Sequence, residues 1–233
     1  MRVFEVRDLG NLRYADALAV QQDFVEKRKL GLIADQLLFV EHPHVITLGR
    51  NGNRENLLAH EELLQRAGIE FHPTNRGGDI TYHGPGQIVG YPILDLREWK
   101  RDVVAYVRAI ELAIIGALVE FGIPAGCEPG LTGVWVEGKK VAAIGVHISR
   151  WVTSHGFALN HTTDLSYFKY IVPCGLTLPV TSMQELGATA AREEVLAALS
   201  RSFAQQFGYD LSSRELLSRD RKGAGIAYTE TYS

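Results

Sequence analysis

The sequence predicts an α+β fold, with a mixed β-sheet flanked by helices. Apolar and β-branched segments of strand length come in groups, and several longer segments repeat apolar residues at helical spacing. The two kinds of segment do not alternate in the regular order that a parallel α/β sheet requires. The chain has 233 residues, of which 46% are hydrophobic, and this predicts one domain with a sizeable core.

The first half of the chain begins with a strand and a helix. Apolar and charged residues alternate over 2–8, which predicts a half-exposed strand. A helix is predicted over 12–29, because its apolar residues share one face and basic residues lie near its end, and Gly31 stops it. The other predicted elements of this half are strands at 37–40 and 45–48 around Pro43, a helix at 59–67 closed by Gly68, and strands broken by tight loops over 71–96.

The second half contains the two strongest helix patterns. Apolar residues recur at helical spacing over 102–121, with Asp102 as the expected N-cap, and again over 188–207. The other predicted elements are a hairpin of 132–136 and 141–148 turning near Gly138, a strand at 151–159, and shorter helices near 164–170 and 212–219.

Charge and hydropathy exclude several classes of protein. The 24 Lys and Arg residues and 27 Asp and Glu residues give a formal net charge of −3, so we expect no nucleic-acid partner. No apolar run approaches the roughly 18 residues that cross a bilayer, and the charged start lacks the apolar part of a signal peptide. We therefore expect no membrane partner and a cytoplasmic location. The two cysteines, Cys127 and Cys174, are expected to be free thiols.

Two glycine-containing segments have nearly the spacing of nucleotide-binding motifs but lack essential features. Gly133 to Lys140 has P-loop spacing, yet it ends in lysine instead of the Ser or Thr that holds magnesium, and its interior is strand-like. A helix cannot open after Gly84 to Gly90, because Tyr91-Pro92 follows. The eight histidines have no Cys or carboxylate partners at ligand spacing, so no metal is expected.

The most unusual stretch runs from Arg76 to Gln87 and contains four glycines. Such a loop brings backbone N–H groups close to a ligand, and it can bind an acyl oxyanion or a phosphate. A glycine-rich hairpin connection without a ligand explains the same residues equally well.

A few side chains are candidates for chemistry. Cys174 lies in a Pro-Cys-Gly turn that suits a reactive thiol, but Cys127 has a similar context, so context does not choose between them. Lys140 leads into an apolar strand, where low-dielectric surroundings favour a proton shuttle, and a solvated hairpin lysine is the alternative. His155 and Asn160 bracket a strand of small residues, and a hydrogen-bonded core histidine is the simpler interpretation there.

Taken together, these segments resemble the lipoyl(octanoyl) transferase family. The resemblance covers about residues 35 to 186 in matching order and spacing, and no motif is matched after about residue 208. The matching segments are Glu41-His42-Pro43, Thr47-Leu48-Gly49-Arg50, Arg76-Gly77-Gly78 through Thr81, His83-Gly84-Pro85-Gly86-Gln87, Gly138 through Gly145, and Pro173-Cys174-Gly175.

The resemblance implies the biotin/lipoate protein ligase fold, which is similar to class II aminoacyl-tRNA synthetases, as a single catalytic domain over 1–233 with its core at about 30–210. It implies that Cys174 is the nucleophile, that Lys140 is the acid/base and that Cys127 is a bystander. Octanoyl would pass from octanoyl-acyl carrier protein, through a Cys174 thioester, to a lysine of lipoyl domains. The implied acceptors are 2-oxoacid dehydrogenase E2 subunits and the glycine cleavage H protein. Because thioester exchange is nearly isoenergetic, no ATP, metal or other cofactor is implied.

The same motifs and their neighbouring strands supply the candidate substrate-binding residues. Backbone N–H groups near Gly77-Gly78 or Gly145, with His83, are candidate donors to an oxyanion, although His83 can instead order the loop by a hydrogen bond. The full set is Arg76, Gly77, Gly78, Asp79, Ile80, Thr81, Tyr82, His83, Ala142, Ala143, Ile144, Gly145, His155, Gly156, Phe157, Ala158 and Asn160.

The octanoyl tail needs an apolar tunnel, and the acidic carrier protein needs a basic rim. We expect Ile80, Ile144 and Leu159 to form tunnel walls. Arg50, Arg54 and Arg76 are the candidates for the rim, with scattered surface charge as the alternative.

Three other functions fit parts of this pattern. An ATP-dependent lipoate or biotin ligase of the same superfamily would need no cysteine. A non-catalytic module that binds an acyl carrier protein or lipoyl domain would have an ordinary thiol. A thioesterase would differ by admitting water to the acyl-enzyme.

Overall fold

The computed structural model describes residues 2–172 and 178–210, together with the backbone of 218–219. The strands are β1 (Phe4–Asn11), β2 (Asp35–Glu41), β3 (Val45–Leu48), β4 (Glu70–Pro73), β5 (Ile80–His83), β6 (Gln87–Ile93), β7 (Val134–Val136), β8 (Lys139–Ser149), β9 (Val152–Asn160) and β10 (Ser218–Arg219). The α-helices are α1 (Tyr14–Lys29), α2 (Glu61–Arg66), α3 (Val103–Val119) and α4 (Arg192–Phe207), and Arg54–Asn56 and Leu165–Tyr170 are 3-10 helices.

The strands form one large and one small sheet. Within the described ranges, the large sheet has seven strands in the order β10-β1-β2-β6-β9-β8-β7. In it β1 runs parallel to β2 and β10, while the other neighbouring strands are antiparallel. The small sheet has three strands in the order β4-β3-β5, with β3 parallel to β4 and antiparallel to β5. A mixed sheet with helices packed on it confirms the predicted α+β class.

Helices cover both faces of the large sheet. On one face, apolar residues of α3 and α4 pack against β1, β2, β8 and β9 in the largest core cluster. On the other face, α1 packs against β2, β6 and β9. The small sheet has its own apolar cluster, to which α2 and the 3-10 helix Leu165–Tyr170 contribute. Burial of these apolar faces is the main force that holds the layers together.

The local signals for α3 and the hairpin are confirmed. Asp102 Oδ1 accepts a hydrogen bond of 2.9 Å from the Ala105 N–H at the start of α3. β7 and β8 form the expected hairpin. Its turn includes Gly138 with φ of 74°, a conformation that glycine adopts without strain.

Two predicted helices differ from the structure. The helix predicted over 188–207 begins at Arg192, because the Ala191 N–H donates to the Glu194 carboxylate at 2.7 Å and so marks the helix start. Of the helix predicted near 212–219, residues 212–217 lie outside the described residues. The prediction is wrong for Ser218 and Arg219, which pair with β1 as a strand. An open sheet edge offers unpaired backbone groups that local sequence patterns do not reveal.

Candidate active site

A cavity of about 580 Å³ lies where the small sheet meets β6, β8 and β9 of the large sheet. The loop before β5 forms one wall, and the starts of α1 and α3 contribute apolar side chains. The lining residues are Tyr14, Arg76, Gly77, Gly78, Asp79, Ile80, Thr81, His83, Gln87, Val89, Tyr91, Val103, Val107, Gly130, Leu131, Thr132, Lys140, Ala143, Ile144, Gly145, Val146, His155, Gly156, Phe157, Ala158, Asn160, Phe168, Leu178 and Val180.

The glycine-rich loop rests directly on strand β8. The Gly77 N–H donates to Val146 O at 2.8 Å, and Gly145 lies under the Gly77 carbonyl. Arg76 is only 8% exposed, and its guanidinium donates to Thr47 O at 2.7 Å. The loop is therefore fixed to both sheets. Because Arg76 is buried, the expectation that it belongs to a basic surface rim is wrong, while Arg50 and Arg54 are exposed.

Asp79 organises the far end of this loop. Its carboxylate accepts hydrogen bonds from the Ile80 and Asn53 N–H groups at 2.7 and 3.2 Å and from Asn56 Nδ2 at 2.5 Å. The backbone carbonyl of Asn56 in turn accepts a bond of 2.8 Å from the Val172 N–H. A continuous chain of contacts thus joins the glycine-rich loop to the last described residue before segment 173–177.

Lys140 holds the residues that follow this segment. Its N–H donates to Pro179 O at 2.9 Å, and its carbonyl accepts from the Thr181 N–H at 3.0 Å. Its Nζ lies 4.7 Å from the centroid of the Trp135 ring, which is within range of a cation–π interaction. Lys140 lines the cavity. Cys174, the expected nucleophile, lies outside the described residues.

Two buried histidines line the cavity in the neutral form. His83 Nδ1 lies 2.7 Å from Gln87 Oε1, and burial lowers the pKa of His83 to about 3. His155 Nε2 lies 2.7 Å from Asn75 Oδ1, and burial lowers the pKa of His155 to about 4. The backbone of His155 has φ of 54°, a left-handed conformation that costs energy for a residue with a side chain. Both rings have the ordering hydrogen bond that the sequence left as an alternative.

Most of the candidate binding residues meet at this cavity, but three expected residues do not line it. Tyr82 is fully buried, with its hydroxyl 2.7 Å from His44 Nδ1. Ala142 and Leu159 lie in the core on the α3 and α4 side of the sheet. Leu159 is therefore not a tunnel wall as predicted, because its side chain is fully buried in that core.

Sequence reasoning missed several apolar and aromatic parts of the cavity. Tyr14 of α1 and Tyr91 of β6 are far from the motifs, and only the packing of their elements brings them there. The Tyr91 hydroxyl lies 2.7 Å from His42 Nε2. Val103 and Val107 contribute from the first turns of α3. An aromatic or branched residue in an amphipathic pattern gives no signal that separates a cavity wall from a core position.

Cys127 is separate from the cavity wall. Its Sγ lies 3.5 Å from Glu111 Oε2, and burial raises the pKa of this thiol. A thiol with a raised pKa is a poor nucleophile at neutral pH, because less of it is thiolate. Glu111 also accepts a hydrogen bond of 3.0 Å from the Gly133 N–H, so it holds the turn that precedes β7.

The described ranges contain no group of three or more His, Cys, Asp or Glu side chains arranged to hold a metal ion. In the same ranges, none of the helices has the length and apolar character needed to span a membrane.

Comparison with known proteins identifies the family. Residues 13–204 match the family model described as the lipoyl protein ligase A/B catalytic domain. A protein named Octanoyltransferase from Solibacter usitatus is 64% identical over 211 residues, which cover 91% of this chain and 96% of that protein. A protein of the same name from Koribacter versatilis is 52% identical and covers 86% of this chain and 83% of its own length.

Solved structures share the fold at low sequence identity. A lipoate-protein ligase A bound with ATP superposes with a TM-score of 0.78 at 17% identity, covering 91% of this chain and 88% of that one. A bi-partite lipoate protein ligase from Thermoplasma acidophilum superposes with a TM-score of 0.75 at 18% identity, covering 91% of this chain and 86% of that one. A biotin protein ligase from Aquifex aeolicus superposes with a TM-score of 0.52 at 13% identity, covering 89% of this chain and 70% of that one. The fold expected from the resemblance is confirmed, and the chain belongs to the lipoyl protein ligase A/B catalytic domain family.

Proposed function

We propose that this protein is an octanoyltransferase that moves an octanoyl group from acyl carrier protein to a lysine of lipoyl domains. The observation that carries the proposal is the 64% identity, over nearly the whole chain, to a protein named Octanoyltransferase. The cavity is consistent with that substrate, because an apolar wall borders Lys140. Burying the six methylenes of an octanoyl tail is worth roughly 5 kcal/mol at about 0.8 kcal/mol each.

Cys174 and Lys140 carry the chemistry in this proposal. In the first half-reaction a C–S bond to Cys174 forms, the bond to the pantetheine sulfur breaks, and the leaving thiolate takes a proton. In the second, the amide C–N bond forms, the C–S bond to Cys174 breaks, and one amine proton moves to the cysteine sulfur. Lys140 carries the proton in both steps, and its ammonium form stabilises the thiolate. The contact that supports this pairing is that the Lys140 backbone holds Pro179 and Thr181, a few residues after Cys174 in the chain.

The oxyanion of each tetrahedral intermediate needs hydrogen-bond donors. Of the backbone groups considered above, the Gly77 N–H is already bonded to Val146 O. The Gly78 N–H is therefore the better candidate of this loop. Gly78 has φ of 83°, a conformation that glycine adopts without strain.

The proposed donor, acceptors and location follow from the same assignment. The donor is octanoyl-acyl carrier protein, and the acceptors are lipoyl domains of 2-oxoacid dehydrogenase E2 subunits and the glycine cleavage H protein. The reaction needs neither ATP nor a metal, it takes place in the cytoplasm, and residues 1–233 act as a single catalytic domain. The other candidate binding residues that line the cavity hold the acyl chain and its thioester.

Intact-protein mass spectrometry tests the proposal. The wild-type protein is incubated with octanoyl-acyl carrier protein, and we expect an added octanoyl mass that hydroxylamine removes. Cys174→Ser should lack this thioester. Cys127→Ser is the matched control and should retain it, because Cys127 lies outside the cavity wall. Transfer to a lipoyl domain that needs free octanoate and ATP, without the adduct, would instead identify a ligase. Release of free octanoate with no transfer would identify a thioesterase.

A further inference from the structure

A chain of side-chain amides connects His83 to two backbone carbonyls. His83 Nδ1 lies 2.7 Å from Gln87 Oε1. Gln87 Nε2 donates to Asn160 Oδ1 at 2.9 Å and to Tyr82 O at 3.3 Å. Asn160 Nδ2 donates to Thr181 O at 3.0 Å. His83, Gln87 and Asn160 are all buried, so each polar atom needs a partner of the opposite kind.

The two carbonyls fix the direction of every bond in this chain. A backbone carbonyl only accepts, so the NH₂ group of Asn160 must face Thr181 O and the NH₂ group of Gln87 must face Tyr82 O. Rotating either side-chain amide by a half-turn would place two hydrogen-bond acceptors beside each other. The oxygen of Gln87 therefore faces His83, and an amide oxygen cannot donate. Nδ1 of His83 must carry the hydrogen.

The other nitrogen of the ring is then an acceptor. Burial lowers the pKa of His83 to about 3, and the positive charge of nearby Arg76 also favours the neutral ring. Of the groups around it, Tyr14 and His42 are themselves neutral at pH 7, because burial raises the pKa of one and lowers the pKa of the other. Nε2 consequently holds a lone pair. Among the described residues it has no hydrogen-bond partner, and the ring borders the cavity.

We propose that His83 Nε2 accepts a hydrogen bond from the amine of the acceptor lysine during the second half-reaction. This inference rests on the proposed function. The octanoyl tail offers only C–H groups, and the thioester oxygen only accepts, before and after it becomes an oxyanion. Of the substrate groups that react in this step, the attacking amine is the one that has N–H bonds. Holding one of them at Nε2 turns the nitrogen lone pair toward the thioester carbon, while the proton released by C–N bond formation still leaves through Lys140.

The same tautomer excludes His83 from the oxyanion hole. An Nε2 lone pair would repel a negatively charged oxygen instead of stabilising it. His83 therefore acts on the nucleophile and not on the carbonyl, which changes the half-reaction that its substitution should slow. Because His83 is not a donor to the oxyanion, backbone N–H groups of the glycine-rich loop must stabilise the oxyanion instead.

Nuclear magnetic resonance of the wild-type protein labelled with ¹⁵N-histidine tests the tautomer directly. We expect hydrogen on Nδ1 and an unprotonated Nε2 that does not titrate between about pH 5 and pH 8. His83→Gln assigns the signals. A spectrum with hydrogen on Nε2, or a ring that titrates in this range, overturns the inference.

Gln87→Glu tests the role in catalysis. A carboxylate beside Nδ1 favours the imidazolium form, so Nε2 becomes a donor at low pH. We expect aminolysis of the preformed octanoyl-enzyme by a lipoyl domain to slow about tenfold at the acid end and to recover as pH rises. Loss of the Gln87 NH₂ group from Tyr82 O and Asn160 Oδ1 should slow both half-reactions alike, so the expected signature is the additional, pH-dependent slowing of aminolysis. Gln36→Glu is the matched control, because it adds the same charge to a buried glutamine beside Arg7, away from the cavity.

The half-reactions separate this proposal from its rivals. Equal slowing of acylation and aminolysis at all pH values would mean that His83 is only structural. Slowing of acylation alone would mean that Nε2 binds an amide N–H of the pantetheine arm, and either result overturns the inference. A wild-type protein that transfers octanoyl normally but fails these tests leaves the proposed function intact. A wild-type protein that does not transfer octanoyl overturns the proposed function itself.

Discussion

Gly145→Ala should damage the active site and the fold to a similar extent. Gly145 lies on β8 opposite Gly156 of β9, and the glycine-rich loop crosses directly above it. A methyl group at position 145 would lie 2.8 Å from Gly77 O and 3.2 Å from Arg76 Cδ. The loop cannot tilt away freely, because the Gly77 N–H is bonded to Val146 O on the same strand. The loop must therefore move or that hydrogen bond must stretch.

The size of the effect follows from this geometry. Relieving a carbon–oxygen contact of 2.8 Å requires a movement of a few tenths of an ångström. Overpacking of this kind typically costs about 1–3 kcal/mol of folding free energy. A misplacement of about 1 Å in an active site can lower a rate about 100-fold, so a smaller movement should lower kcat/KM about tenfold. Loss of one hydrogen bond of about 1 kcal/mol lies in the same range.

The assay compares octanoyl transfer to a lipoyl domain with unfolding in urea. Gly126→Ala is the matched control, because a methyl group at that position meets nothing within 4 Å and Gly126 is not in the cavity wall. We expect the control to keep wild-type activity and stability. If Gly145→Ala kept both the wild-type kcat/KM and the wild-type urea midpoint, the loop would not rest on Gly145 and the described cavity wall would be wrong.

Three further predictions concern the buried charges, the loop and the histidines. Asp35→Asn removes one of the carboxylates around buried Arg28, 2.7 Å away, while Glu98 and Asp95 remain, and should cost about 2–3 kcal/mol in urea unfolding without changing the activity of the folded fraction. Asn56→Ala breaks the bond to the Asp79 carboxylate and should slow acylation severalfold in single-turnover mass spectrometry, with about 1 kcal/mol lost in stability. Burial lowers the folded pKa of His83 to about 3 and that of His155 to about 4. In the unfolded chain these histidines have their usual pKa of about 6.5, so below that pH the unfolded chain binds more protons than the folded protein. Stability should therefore fall as pH drops from about 6.5 to 4.5. Urea midpoints measured across this pH range give the slope of stability against pH, and the slope should be shallower in His155→Gln. An unchanged slope in that variant would contradict the lowered pKa of His155.

The fold was predictable from the sequence where a local signal decides the structure. The Asp102 cap begins α3, and glycine at Gly138 turns the β7–β8 hairpin. The start of α4 was predicted too early because alanine-rich residues before Arg192 fit a helix as well as a loop. The pairing of Ser218 and Arg219 with β1 depends on a sheet edge more than 200 positions earlier in the chain, and no local pattern contains that information.

The candidate site was predictable only as far as its motifs extend. The motifs supply Lys140 and the glycine-rich loop, which meet at one cavity. They do not supply Tyr14 or Tyr91, whose place in the wall depends on how α1 and β6 pack. They also do not supply the tautomer of His83, because it depends on a distant backbone carbonyl, Thr181 O.

The contacts of the described residues also explain why the motifs must act together. Val172 is bonded to Asn56, which is bonded to Asp79 of the glycine-rich loop. On the other side of segment 173–177, Thr181 is bonded both to the Lys140 backbone and to the amide chain that ends at His83. A change in either set of contacts therefore reaches residues on one side of the segment that contains the proposed nucleophile. Because the two sets approach that segment from opposite sides, the effects of Asn56→Ala and Gln87→Glu should combine multiplicatively within each half-reaction measured alone, and a marked departure would mean that they act through one shared displacement.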